Sequence, residues 1–519
     1  MHQPIVFPGP METLVRFVEE TPSAEILPRT LEKLRTGTSI GTLLTASSLA
    51  VVRSTELPPQ HHGGPVHPIC GVRAVHEIAR RLPGELAYLP VLQHVTLTNN
   101  HVSSPLMGPF VMPAMAPIAG TPQAFGTYHM SDEAFHGDPV PSATETLASD
   151  PIEMTKDAFT RTLHTRQAPA AEHHFLWLLE RLSPGEALDQ LLPLALSGNG
   201  LDDHNFLYPV YTARALDCLG WEWAPTLFRP AVRYQARSRQ GLRVRSRYEH
   251  EEIEALVDEY RLLERDIPLE SPPSESKAIA ELAQALGGAQ DYSDNVERMA
   301  QALSDGLSLA GAGEALSVGA ALAYLSTSYG NPMDSHLHTG ANNRRYLLGV
   351  DGVGLRHKIV GLLTGFTGPE VILAEGLLNW SDNIDAEITK DLPGFDQAAL
   401  LDALSESIEA QPWIDWRTIG VSNVVAPDDV KRSIALARQY ADLGFSPDAY
   451  FERLAEISCR DDFTEMHAFK HFQAIVEEYY ATRPELRWVH MVSAAKSAAV
   501  VHVGREHRIY QQARELLAA

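Results

Sequence analysis

The chain has 519 residues, more than a single hydrophobic core usually organises, so two or three domains are expected. Its formal net charge of −24 argues against nucleic acid or an anionic membrane as partner, since both need a basic face. Three widely separated cysteines, Cys70, Cys218 and Cys459, support neither a disulfide framework nor a thiolate zinc site, and the start from Met1 to Pro10 lacks the basic and apolar regions of a signal peptide, so the expected location is the cytoplasm.

In chain order, Gly37 to Leu49 reads as a small-residue helix, and the turn Gly63-Gly64-Pro65-Val66 delivers His67 to the next one. The segment 103–151 is rich in Pro, Gly and Met, including Met107, Met112, Met115 and Met130, and has no helical period. Such a length without period suggests a lid or a wrapping arm. Ser183, Pro184 and Glu186 form a capping-box pattern. Leu188, Leu191, Leu192 and Ala195 follow at helical spacing, with Pro193 expected to kink or end that helix. Asp202-Asp203-His204 opens another helix, which carries Tyr208, and Asp203 reads as its cap.

The arginine run from Arg229 to Arg247 is expected to be a solvated stretch pairing with the acidic residues Glu249 to Glu254. The proline-rich segment 265–276 reads as a linker between an N-terminal half, 1–264, and a C-terminal half, 277–519. Leu307 to Leu325 carries Glu314 and many small residues, so it reads as a buried helix and not as a membrane span. His336 and His338 follow a turn at Pro332. Pro393-Gly394 marks a smaller turn, Ser446-Pro447 another cap, and Asp462 with Glu465 a capping box opening a helix through Phe469, Phe472, Ile475, Val476 and Tyr479. Alternating patterns are few and short, so the predicted fold class is all-α.

The two halves look like copies of one module. Ser183 and Ser446, His204 and His467, and Tyr208 and His471 are each 263 residues apart. The pairs Gly37/Gly306 and Ala46/Ala315 are 269 apart, which implies small insertions; the Asp-Asp pairs, 259 apart, do not share the main spacing. A repeat of this kind predicts a duplicated, pseudo-symmetric helical architecture.

Histidine carries the candidate chemistry, with 22 in the chain. Imidazole can act as base, acid or metal ligand near neutral pH. His67 and His338, in turns that open helices, are candidate bases, as is His467, with Lys470 or Arg344 stabilising an anion. His336, His471, Tyr208, His204 and His76 complete the set as substrate contacts. His467 and His471, one helical turn apart, also suit a metal, with His338 as third ligand, although no His-Glu-x-x-His accompanies them. No Gly-x-Gly-x-x-Gly or P-loop is present.

Tyr329-Gly330-Asn331-Pro332 followed by His336, His338, Thr339 and Ala341 resembles the Gly-Asn-Pro segment and His-containing turn of the questin oxidase-like family. His67-Pro68-Ile69 with Val72-Arg73-Ala74-Val75 is similar to that family's first His-containing helix entry, and Glu465-Met466-His467-Ala468-Phe469-Lys470 to its late helix. Met491 to Val501, after Trp488, resembles its closing helix. The chain departs from the pattern in its Met/Pro loop, its arginine run and its N-terminal part. The resemblance implies an all-helical oxidoreductase of secondary metabolism, a monooxygenase opening an aromatic polyketide ring in a Baeyer-Villiger-type reaction with NADPH and oxygen. NADPH is the cofactor this resemblance implies, and iron the candidate if histidines hold a metal. The expected partner is a bulky, aromatic small molecule held between helices of the two halves; a homodimer is allowed. Two other readings stay open: a histidine-ligated iron oxygenase drawing ligands from both halves, and a non-catalytic helical-repeat scaffold.

Overall fold

A computed structural model describes residues 3–56, 66–105, 110–120, 150–197, 203–237, 250–288, 294–326, 335–366, 396–410, 428–461, 466–501 and 508–519. Helix makes up 76% of it, and no strand occurs among the described residues, so the fold is all-α. Much of segment 103–151, the turns Tyr329 to Pro332 and Pro393-Gly394, and the Asp462/Glu465 capping box lie outside the described residues.

Seven helices position the site. They are α1 (Ile40–Ser54), α2 (Val66–Ala79), α3 (His204–Leu219), α4 (Leu309–Ser326), α5 (Ser335–Leu348), α6 (His467–Ala481) and α7 (Trp488–Val501). In the N-terminal half α1 packs on α2 and α2 on α3; in the C-terminal half α4 packs on α5 and α5 on α6. Among these seven helices, α2 with α6 and α3 with α5 pack across the halves. One hydrophobic cluster runs through both halves, from Phe7 to Ala513.

The small residues of α4 explain its burial. A Cβ at Gly287 would lie 2.6 Å from the carbonyl oxygen of Gly319, so the helix Ser276–Gly287 crosses α4 at backbone contact, which only glycine permits. α4 is the one helix among the described residues long and apolar enough to cross a membrane, and most of it is packed inside the protein. The segment expected as a linker is itself packed against it. The carbonyls of Pro268 and Leu269 accept from the N–H groups of Leu309 and Ala310, and Glu275 accepts from the Ser308 backbone at 3.0 Å and its hydroxyl at 2.6 Å. These contacts satisfy donors that the first turn of α4 leaves unbonded.

Local expectations are met at Ser183, where the capping box forms in full, and at Ser446, whose hydroxyl accepts from Ala449. The helix after Ser183 stops at Asp189 and a new one starts at Leu192, so the break falls just before Pro193. Pro209 sits inside α3 and cannot donate to the carbonyl of Asn205. The amide of Gln235 reaches that carbonyl at 3.5 Å.

The arginine run behaves differently from its expectation where it is described. Arg229 and Arg233 are buried and pair with Glu172, and Arg233 and Arg237 with Glu56. None of these contacts is with the acidic stretch 249–254, where Glu254 instead pairs with Arg356. Burial decides the choice, because a guanidinium inside the protein needs a carboxylate that is also inside.

Candidate functional site

Four helix starts converge at the centre. His204 and His467 are the first residues of α3 and α6, and His67 and His336 the second residues of α2 and α5. His67, His204 and His467 each offer a ring nitrogen, and these three nitrogens lie within 4.8 Å of one another. The Nε2 atoms of His67 and His204 are 3.2 Å apart. His336 stands beside them, its ring centre 5.0 Å from that of His467 and 5.9 Å from that of His204. The positive end of a helix dipole disfavours an imidazolium, so four helix starts favour neutral rings, the form that binds metal. The same dipoles favour an anion bound at this point.

The chain is held in an uncommon conformation just before two of these rings. Asp203 has φ 53° and Met466 φ 67°, the left-handed region, directly ahead of His204 and His467. Such positions cost energy in non-glycine residues and persist only where packing enforces them. Around Met466 the enforcing contact is α2, since a Cβ at Gly71 would lie 2.5 Å from the Met466 sulfur. Around Asp203 it is Arg344. The guanidinium donates to the Asp203 carboxylate at 2.8 Å and to the Gly361 carbonyl at 2.9 Å, and lies over the Phe206 ring. Asp203 makes no side-chain cap to α3, so its expected capping role gives way to this buried ion pair. The positive charge of Arg344 is likewise engaged by Asp203, which corrects its expected role as an anion-stabilising group.

His338 and His471 form a separate cluster. His471 Nε2 is 3.0 Å from His338 Nδ1, and the Ser497 hydroxyl 3.0 Å from His471 Nδ1. The Tyr324 ring covers both imidazoles, with centres 5.3 Å and 4.7 Å away. Burial holds both rings well below the ordinary imidazole pKa, with His490 and Lys496 also opposing charge on His338, and His338, His336 and Lys496 on His471. His467 and His471, expected to share one metal, therefore divide between the two clusters.

The remaining candidates are placed as follows. Tyr208 stacks on His204 at 4.7 Å between ring centres, and Tyr234 meets Tyr208 edge-on at 4.8 Å, so an aromatic wall flanks the three histidines. Lys470 is buried, and its charge acts on Cys70 of α2, although burial still pushes that thiol up to about 12. His76 is exposed; nine residues beyond His67 on one helix, it lies about 13 Å along the axis and on the opposite face. Sequence reasoning missed Tyr234, Tyr324 and Ser497. One signal was present: Tyr234 and Ser497 are also 263 residues apart.

His67, His204 and His467 fit a transition-metal ion. Imidazole nitrogens suit zinc, iron, copper and nickel. Nitrogens bound to one ion at about 2.0–2.1 Å stand at most about 4.2 Å apart, so closing the 4.8 Å set needs only small ring movements. Three protein ligands leave positions for water, oxygen or substrate. No family model matches this chain, and no curated protein and no solved structure matches it either.

Proposed function

We propose that this protein is a metal-dependent oxidoreductase acting on a bulky aromatic small molecule, with His67, His204 and His467 holding the ion. The observation that carries the reading is the convergence of three ring nitrogens within 4.8 Å at the starts of three helices, two from the N-terminal half and one from the C-terminal half. The resemblance to questin oxidase-like proteins supplies the substrate class, and the aromatic wall of Tyr208 and Tyr234 supports it, since a planar ring gains most by stacking or edge contact there. A bound iron ion would supply the redox chemistry. The chain's own residues bind and orient the substrate and manage protons. His336, buried beside His467, takes the proton of a phenolic hydroxyl, the adjacent phenolate charge offsetting the cost of an imidazolium at a helix start, and the helix starts stabilise that phenolate.

The duplicated module is part of this reading. Equivalent histidines at equivalent helix starts, each of His204 and His467 preceded by a left-handed residue, support descent of the two halves from one unit. The doubling matters because neither half alone holds three of these ligands.

Titration of chelator-treated protein with cobalt(II) tests the metal centre. One saturable equivalent with visible absorption bands is expected, lost in His67→Ala and His467→Ala variants that keep their helical circular dichroism. Weak, unsaturable binding that is the same in both variants would overturn the reading. Metal-dependent oxygen consumption with a hydroxylated anthraquinone tests the substrate class.

A further inference from the structure

Beside the three-histidine cluster lies a second polar chain that the proposed metal centre does not use. It runs from His338 through His471 to Ser497, with both links 3.0 Å long. All three residues are buried, Ser497 least so at 7%. Its inner end, His338 Nε2, is buried and has no hydrogen-bond partner among the described residues. The Nδ1 of His490, whose ring centre is 6.0 Å from that of His338, is in the same condition. A polar ring nitrogen buried this deeply without a partner is costly and calls for a role.

Two neutral arrangements satisfy both links. In one, His338 Nδ1–H donates to His471 Nε2, and His471 Nδ1–H donates to the Ser497 oxygen, which leaves a lone pair on His338 Nε2. In the other, the Ser497 hydroxyl donates to His471 Nδ1 and His471 Nε2–H donates to His338 Nδ1, which leaves a proton on His338 Nε2. We propose that the His338–His471–Ser497 chain is a proton relay, switching between these two arrangements to move protons between His338 Nε2 and the Ser497 hydroxyl.

The step balances. A proton bonds to His338 Nε2, His338 Nδ1–H passes to His471 Nε2, His471 Nδ1–H passes to the Ser497 oxygen, and the original Ser497 hydroxyl proton leaves to a water molecule. Each nitrogen and oxygen ends with its normal valence, and both rings are neutral before and after. That neutrality suits the site, because a buried imidazolium would be strongly disfavoured. The relay deepens the oxidoreductase reading and rests on it for its purpose, since oxidation of a phenol releases protons into this interior.

Long-range proton–nitrogen NMR of the histidine-labelled, metal-free full chain tests the relay independently of the metal centre. His338 and His471 are expected to show ring-nitrogen shifts averaged between the Nδ1–H and Nε2–H forms. In Ser497→Ala both rings should collapse onto the Nε2–H form, since a buried Nδ1–H facing a methyl group loses its acceptor. Ser497→Thr should restore averaging. A single fixed tautomer in the unsubstituted chain, or a His338 signal unmoved by Ser497→Ala, would overturn the relay. Averaging without cobalt binding would leave the relay standing and remove the metal reading instead.

Discussion

Replacing Arg344 by methionine should damage both the fold and the site, and the structure sets the size of each effect. Asp203 and Arg344 are almost completely buried, and the carboxylate meets the guanidinium at 2.8 Å. Removing one partner of a buried pair leaves an uncompensated charge, a loss of about 3–5 kcal/mol. The donor to the Gly361 carbonyl goes with it, within the same range. Asp203 is the left-handed residue that sets the start of α3 at His204, so the loss should reach the metal site. Groups that orient a ligand from behind typically change metal affinity by about 10–100-fold. Chemical denaturation measures the first effect and cobalt(II) titration the second. The double variant Arg344→Met, Asp203→Asn should recover much of the stability, because no buried charge remains, but not the affinity. An Arg344→Met chain within about 1 kcal/mol of the parent, well under the cost of a broken buried pair, with unchanged cobalt binding would refute the reasoning.

Three further outcomes follow from particular contacts. Gly71→Ala places a Cβ 2.5 Å from the Met466 sulfur and should shift the start of α6, weakening cobalt binding by roughly tenfold or more; adding Met466→Ala should relieve the clash, and the paired titrations measure it. His76→Ala, on the exposed face of α2, should leave cobalt stoichiometry and affinity unchanged in the same assay. The buried rings predict acid sensitivity. Burial lowers His94 to about 4, partly offset by its bond to the Pro68 carbonyl, and His490 to about 3. An unfolded imidazole titrates near 6.5, so below that pH the unfolded chain binds protons that the native chain refuses. Stability should therefore fall as pH drops from about 6.5 toward 4 for His94 and toward 3 for His490, at up to about 1.4 kcal/mol per pH unit for each ring. Denaturation midpoints across this range read the slope, and His94→Gln should reduce it by one proton.

The all-helical class and several local devices were legible because they depend on short-range chemistry. The Ser183 capping box and the small-residue helix α4 are of this kind. The spacing of 263 also picked out His204 and His467, which the structure brings to one point. Taking His338 and not His336 as a candidate base beside His67 passed over one interval, since His336 follows His67 by 269 residues, the interval that separates Gly37 from Gly306. His67 and His336 are both second residues of their helices. Two things could not be read locally. The partner of Arg344 lies 141 residues away, so the pair depends on α3 and α5 meeting across the halves. His467 and His471 lie on adjoining parts of one helix, and only the packing of α2, α5 and α7 around α6 shows that they serve different clusters.

Elemental analysis of the purified protein tests the central claim most directly. The account predicts close to one equivalent of a transition metal per chain, and almost none in a chain carrying His67→Ala, His204→Ala and His467→Ala together. A fully helical, unsubstituted protein that contains no metal and gains none when supplied with iron, cobalt or zinc would contradict it.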